Sequence, residues 1–99
     1  MPNRDVIRKC FTEYLQNRKC KTEEAKKAKE LVEKTLEHFL IRRKTTGDKR
    51  YDYIVQRWIK RRSYRRVAVE LGISYRASDH WVNDIMYVAE AIAIEYDLL

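Results

Sequence analysis

Three features of this sequence predict an all-α fold. The chain has 99 residues but only two glycines and one proline, and so few chain breakers favour helices over a turn-rich β fold. Apolar residues recur at helical spacing along most of the chain. Residues that favour helix N-caps precede these patterns at Asn3, Thr22, Ser63 and Ser74. We therefore predict a small five-helix domain, in which an N-terminal helical hairpin precedes a helix-turn-helix with a long C-terminal helix.

The N-terminal hairpin is predicted over residues 1–47. Its first helix runs from Arg4 to Lys19 after the cap Asn3. The apolar stripe of this helix comprises Val6, Ile7, Cys10, Phe11, Tyr14 and Leu15. The second helix opens after Thr22, and its basic end at residues 42–44 suits a helix C-terminus. Its inward face comprises Ala25, Ala28, Leu31, Val32, Thr35, Leu36, Phe39 and Leu40.

Residues 45–48, Thr-Thr-Gly-Asp, form the clearest break in the chain. They divide the hairpin from a C-terminal module over residues 48–99, and we expect the two parts to form one compact unit. A third helix is predicted from Lys49 to Arg61. It turns inward Tyr51, Ile54, Val55, Trp58 and Ile59.

A helix-turn-helix pattern spans residues 63–82. Ser63 caps a helix whose inward residues are Tyr64, Val67, Ala68 and Leu71. Ala68 is small, which suits two closely crossing helices, and Gly72 permits the left-handed backbone of the turn. Ile73 then enters the core and Ser74 caps the last helix, which runs from Tyr75 to Tyr96 and turns Trp81, Val82 and Ile85 inward. The alternative is an ordinary helix-glycine-helix hairpin in a bundle.

Charge is distributed unevenly along the chain. The net charge is +7, and residues 56–76 hold seven basic side chains against the single acid Glu70. From residue 77 onward there are five acids and no lysine or arginine. A local basic face of this kind favours a polyanionic partner such as DNA.

The segment Leu71–Ser74 (LGIS), followed by a polar helix start and the inward Trp81, resembles sigma-factor region 4. Within that group it is most similar to small phage late-transcription regulators of the ArpU and RinA type. The resemblance covers residues 49–99, whereas residues 1–48 agree only in being basic and helical. Ser78 departs from the pattern, because such motifs usually carry an aliphatic residue there. The resemblance implies a transcription activator that also contacts RNA polymerase in the bacterial cytoplasm.

Duplex DNA is the predicted partner. The expected base contacts are Tyr75, Arg76, Asp79, His80 and Asn83, with Arg76 suited to guanine and Asn83 to adenine. Asp79 is expected to orient Arg76, since a carboxylate is repelled by phosphates. The expected phosphate contacts are Arg61, Arg62, Arg65, Arg66 and Ser74. For each of these polar side chains, the alternative is a solvated surface residue.

The last helix is unusually apolar, since 11 of the 14 residues from Met86 to Leu99 are apolar. Two explanations, which can both hold, are that the first two helices pack around it and that it forms a homodimer that would match two DNA half-sites. Two further functions stay open. One is a helical adaptor that docks a partner protein, and the other is a small terminase-type subunit that recognises DNA for packaging.

Several classes are not expected. The sequence has no glycine-rich phosphate loop and no recognisable catalytic grouping, so we predict neither an enzyme nor a cofactor. Cys10 and Cys20 lie ten residues apart, which is neither a redox nor a zinc spacing, and no metal site is predicted. No apolar run reaches the length of a membrane span.

Overall fold

A computed structural model describes residues 3–99 and confirms the all-α fold. Within these residues there are six α-helices and no strand. The helices are α1 (Arg4–Thr12), α2 (Tyr14–Asn17), α3 (Glu23–Thr46), α4 (Arg50–Ile54), α5 (Tyr64–Leu71) and α6 (Tyr75–Glu95). A π-helical segment, Val55–Ile59, continues α4. None of these helices is long and apolar enough to cross a membrane.

All four predicted N-caps are confirmed. The side-chain oxygens of Asn3, Thr22, Ser63 and Ser74 each accept a hydrogen bond from a backbone N–H in the first turn of α1, α3, α5 and α6. Gly47 ends α3 in the left-handed conformation, with φ of 74°. The start of each main helix is thus decided by a residue next to it in the sequence.

The first predicted helix, Arg4–Lys19, is wrong as a single element, because the chain breaks at Glu13 and forms α1 and α2. The Thr12 carbonyl, which residue 16 would use in an unbroken helix, accepts two hydrogen bonds from the Arg61 guanidinium, at 3.2 and 2.7 Å. Val6 and Leu15 were predicted to face inward but are 45% and 50% exposed. Arg61 and Thr12 are 49 positions apart, so local sequence patterns could not predict this contact.

The predicted third helix, Lys49–Arg61, is also corrected. Only Arg50–Ile54 is α-helical, and the following π-helical segment ends at Ile59. The wider turn lets Tyr53 and Trp58, five residues apart, both face the core, where their ring centroids lie 5.7 Å apart. A regular helix would have turned Tyr53 away from Trp58, and Tyr53 is therefore absent from the core that the sequence predicts.

One core is shared by both halves of the chain. Ile7 and Phe11 of α1, Leu31 and Phe39 of α3, and Ile85 and Met86 of α6 are all inaccessible to solvent and belong to the same apolar cluster. Residues on either side of Gly47 therefore pack together. Buried residues of α6 run from Ser78 to Ala93, so this helix contacts the core along most of its length.

Candidate nucleic-acid interface

The α5–α6 turn has the geometry that the sequence predicts for a helix-turn-helix. Gly72 adopts φ of 66°, a left-handed conformation that glycine enters without steric penalty. The Ile73 N–H then donates to the Ala68 carbonyl at 3.0 Å and closes the end of α5. Ser74 accepts from the Ala77 N–H at 3.0 Å and begins α6. Ala68 is buried at the motif's core, while Leu71 and Ile73 are half-buried beside it.

The first turns of α6 expose a polar strip. Arg76 and His80 lie four residues apart on the same helical face, and both are exposed. Neither side chain has a hydrogen-bond or ion-pair partner within residues 3–99. These two predicted base-contacting residues are therefore free to meet an external partner.

Asn83 continues this strip but is engaged within the protein. Its Oδ1 accepts a hydrogen bond from Arg4 Nη1 at 2.6 Å, and Arg4 also forms an ion pair with Glu90. Adenine recognition needs both the amide oxygen and the amide N–H₂ of an asparagine. Arg4 must therefore release Asn83 before this residue can read a base in the predicted way.

Tyr75 and Asp79 lie on the α5 side of the strip. The Tyr75 ring is tilted against Tyr64, with centroids 5.1 Å apart. Burial raises the pKa of Tyr64, and the negative charge of Asp79 adds to this effect. Like an ordinary tyrosine, Tyr64 is protonated at neutral pH, so its hydroxyl can donate a hydrogen bond. Asp79 has no hydrogen bond to Arg76 in residues 3–99, so the structure does not pair these two residues as the sequence analysis expected.

The four arginines predicted to bind phosphate differ in their surroundings. Arg65 is exposed and has no partner in the part of the chain that the structure describes. Arg62 and Arg66 share the acid Glu70, each at 3.2 Å. Arg61 is directed to the Thr12 carbonyl and has the left-handed φ of 55°. Arg65 is thus the arginine of this group most available to an external anion.

Ser78 is buried and replaces an aliphatic contact with a polar one. Its hydroxyl donates to the Tyr53 hydroxyl at 2.9 Å, and both side chains are inaccessible or nearly so. The bond joins α6 to α4 directly beneath the exposed strip. Trp81 packs nearby, half-buried, with the Arg50 guanidinium 5.1 Å from the centre of its ring. Arg50 also pairs with Asp84 at 2.8 Å, which ties α4 to the other flank of α6.

Sequence reasoning missed two features near this interface. Tyr87 lies on the same face of α6 as Arg76 and His80, and it is 70% exposed. Arg8 and Arg57 line an open cleft beside Asp79 and Tyr64. Tyr87 follows His80 by seven residues, a spacing that places both on one helical face and could have been recognised in the sequence. The approach of Arg8 to α6, by contrast, depends on how α1 packs.

Across residues 3–99, no group of three or more histidine, cysteine, aspartate or glutamate side chains is arranged to hold a metal ion. The interface consists of aromatic rings, guanidinium groups and the start of α6, together with His80, Asn83 and the acid Asp79. These groups suit the recognition of an anion or of base edges.

Comparisons of the chain with protein-family models, with curated proteins and with solved structures found no match. The similarity to phage late-transcription regulators therefore stays a prediction that depends on the residue pattern from Leu71 to Trp81.

Proposed function

We propose that this protein is a sequence-specific, duplex-DNA-binding transcription regulator. The proposal depends on Arg76 and His80 in the first two turns of α6, which are exposed and have no hydrogen-bond or ion-pair partner within residues 3–99. A recognition helix enters the major groove with its N-terminal residues against base edges. The capped start of α6 and the tight turn at Gly72 provide a helix of that kind.

Arg76 is the principal base-reading residue in this proposal. A guanidinium group can donate two parallel hydrogen bonds to O6 and N7 of guanine, which distinguishes guanine from the other bases in the major groove. His80, one turn later, reaches the next base pair or a phosphate. Tyr75 and Asn83 are secondary contacts, because one packs on Tyr64 and the other is bonded to Arg4.

Phosphate contacts supply affinity in the same proposal. Arg65 contacts the backbone without giving up an internal ion pair, whereas Arg62 and Arg66 must exchange Glu70 for phosphate. Ser74 and the first N–H groups of α6 add a helix N-terminus that favours an anion. Arg61 contributes to folding by holding the end of α1, since its guanidinium is already bonded.

An activator role and a contact with RNA polymerase follow from the resemblance to sigma region 4 and phage regulators alone. We include a homodimer in the proposal because each chain carries one recognition helix and an operator with two half-sites needs two. Exposed apolar side chains at the far end of α6, which include Ile94, offer a surface for the second copy and leave the start of α6 free. The same apolar end favours the alternative of a helical adaptor that docks another protein.

The experiment is selection of preferred sites from random duplex DNA, followed by titration at several salt concentrations. A regulator shows a preferred sequence together with binding that weakens steeply as salt rises. No binding to any duplex at low salt would leave the adaptor as the better function. Half-site spacing in the selected sequences also reports whether two copies bind together.

Arg76→Ala tests the base-reading step. We expect preference for the selected site over random DNA to fall by about 5-fold to 150-fold, because a bidentate contact contributes about 1–3 kcal/mol of discrimination. Arg76→Lys retains the charge but loses the planar fork, and it should lose most of the preference while retaining affinity for random DNA. Arg18→Ala, an exposed arginine on another surface, is the control. If affinity for the selected site and affinity for random DNA fall equally, Arg76 contacts phosphate and does not read a base.

A further inference from the structure

An open cleft of about 410 Å³ lies beside the exposed strip of α6. Its walls come from elements far apart in the sequence. Arg8 of α1 and Arg57 and Trp58 of the π-helical segment meet Tyr64 of α5 and Asp79 of α6 there. The cleft therefore adjoins both the start of α5 and the proposed base-reading face of α6.

The two arginines of the cleft are only weakly engaged. Arg57 donates one hydrogen bond, at 3.3 Å, to the backbone carbonyl of Arg62, which anchors its side chain without neutralising its charge. Arg8 pairs at 3.2 Å with Asp5, one turn earlier on the solvent-exposed side of α1. Exposed pairs of this kind contribute little and are readily exchanged.

Asp79 is the one acid on the cleft wall, and it forms no ion pair within residues 3–99. The lining side chains comprise two guanidinium groups and one carboxylate, a net charge of about +1, and Asp5 offsets part of this charge while it is paired with Arg8. The ring of Trp58 and the hydroxyl-bearing ring of Tyr64 complete the walls. Because the cleft is open to solvent, it suits one group of a larger molecule better than a small ligand that needs enclosure.

We propose that this cleft binds a backbone phosphate of duplex DNA, with Arg8 and Arg57 as its cationic ligands and the Tyr64 hydroxyl as a further donor. The inference rests on the proposed function and extends the interface from α5 and α6 to α1. In a helix-turn-helix complex, DNA backbone runs past the start of the first motif helix while the second lies in the groove. Here Tyr64, at the start of α5, is itself a wall of the cleft.

This arrangement also explains why a carboxylate is tolerated so near the proposed DNA surface. Asp79 faces the same cleft as Arg8 and Arg57, so the two cations offset its repulsion of phosphate. Asp79→Asn should then strengthen binding to all duplex sequences alike. If the same substitution changed base preference and left affinity for random DNA unaltered, Asp79 would be a base-reading residue and not part of a phosphate site.

The test is the salt dependence of binding to a random-sequence duplex by the full chain, for wild type, Arg8→Gln, Arg57→Gln and the double variant. Loss of one phosphate contact lowers the slope of log K against log salt concentration by about 0.9. We expect the slope to fall by less than about 0.9 in each single variant and by no more than about 0.9 in the double variant, because both arginines contact one phosphate. Arg18→Gln, which makes the same charge change away from the cleft, should retain the wild-type slope.

Three outcomes overturn the inference in distinguishable ways. Wild type that binds no duplex removes both the inference and the proposed function. Wild type that binds DNA, with an unchanged slope in Arg8→Gln and in the double variant, removes only the inference. In the third outcome, inorganic phosphate raises the melting temperature of wild type but not of the double variant, while the salt slopes of DNA binding are equal for the two proteins. The cleft would then bind a small anion and not DNA. If Arg57→Gln and the double variant fail to fold, Arg8→Gln alone keeps the test valid, because Arg8 is exposed and Asp5 is its one ion-pair partner within residues 3–99.

Discussion

The two halves of α6 present different surfaces on the same helical face. Residues 76, 80, 87 and 94 are spaced by four, seven and seven positions, so all four point to one side of the helix. In the N-terminal half this side carries Arg76 and His80. In the C-terminal half it carries Tyr87 and Ile94, which are 70% and 61% exposed.

The difference shows that exposure alone does not decide the chemistry of a helix surface. A helix with an ordinary solvated outer face would be polar along its whole length. Large apolar side chains that remain exposed, as Tyr87 and Ile94 do two turns apart, are typical of a surface that another molecule covers. The proposed division is therefore DNA at the start of α6 and a second copy of the chain at its end.

The largest expected effect comes from placing a charge at the apolar end. Ile94→Glu should weaken the proposed dimer by about a hundredfold or more, because a carboxylate is costly to bury without a partner. Sedimentation measures the change, and Ile41→Glu on α3, at a similarly exposed isoleucine, is the matched control. A wild-type chain that is monomeric at all concentrations would exclude the dimer and favour another partner for this surface.

A smaller effect is expected where the polar half is joined to the core. Ser78→Ala should lower the free energy of unfolding by about 1–3 kcal/mol, because the buried Tyr53 hydroxyl loses its donor. Tyr53→Phe should cost less, since the Ser78 hydroxyl can return to a backbone carbonyl of its own helix. Urea unfolding of the double variant should show less than the sum of the two losses. Strictly additive losses would mean that the two hydroxyls do not interact.

Arg65 and Arg66 should differ measurably in how readily they contact DNA phosphate. Arg65→Ala should lower the salt slope of DNA binding by about 0.9, as expected for one lost phosphate contact. Arg66→Ala should lower it less, because Arg66 gives up its pair with Glu70 before it can contact phosphate. Equal changes would show that Glu70 does not restrain Arg66 in the complex.

The smallest effect concerns the reactivity of the cysteines in the groove beside Ile94, which both Cys10 and Cys20 line. Hydrogen bonding to Thr22 lowers the pKa of the exposed Cys20 thiol, whereas burial raises the pKa of Cys10. Alkylation followed by mass spectrometry should modify Cys20 first, with a rate that rises with pH around a midpoint below that of an ordinary thiol. The dimer should slow this reaction, and Ile94→Glu should remove the protection. Faster modification of Cys10 would contradict the described burial.

Local sequence was sufficient to predict the helix-turn-helix. Its caps, Ser63 and Ser74, and its turn residue, Gly72, act within four residues of themselves, so their effect depends little on the rest of the fold. The exposure of Arg76 and His80 was predictable for the same reason, because helical periodicity assigns them to the face opposite the buried Ile85.

Other parts of the site depend on long-range packing. The predicted role of Arg61 changed because its guanidinium reaches the end of α1, and that of Asn83 because Arg4 packs against it. The surroundings of Asp79 differ from the prediction because packing brings Arg8 and Arg57 into the cleft that Asp79 lines. Each of these contacts joins residues at least 22 positions apart, so periodicity and capping carry no information about them.

The amino-acid sequence by itself determined the all-α class, the start of every main helix and the left-handed turn between α5 and α6. These features arise from backbone geometry and from hydrogen bonds between near neighbours, which a few residues specify. Only the tertiary structure decided which charged side chains are free, where α1 breaks, and that Tyr53 and Ser78 meet in the core. Those outcomes require surfaces from distant segments to pack together, and the shape of that packing is a property of the whole chain.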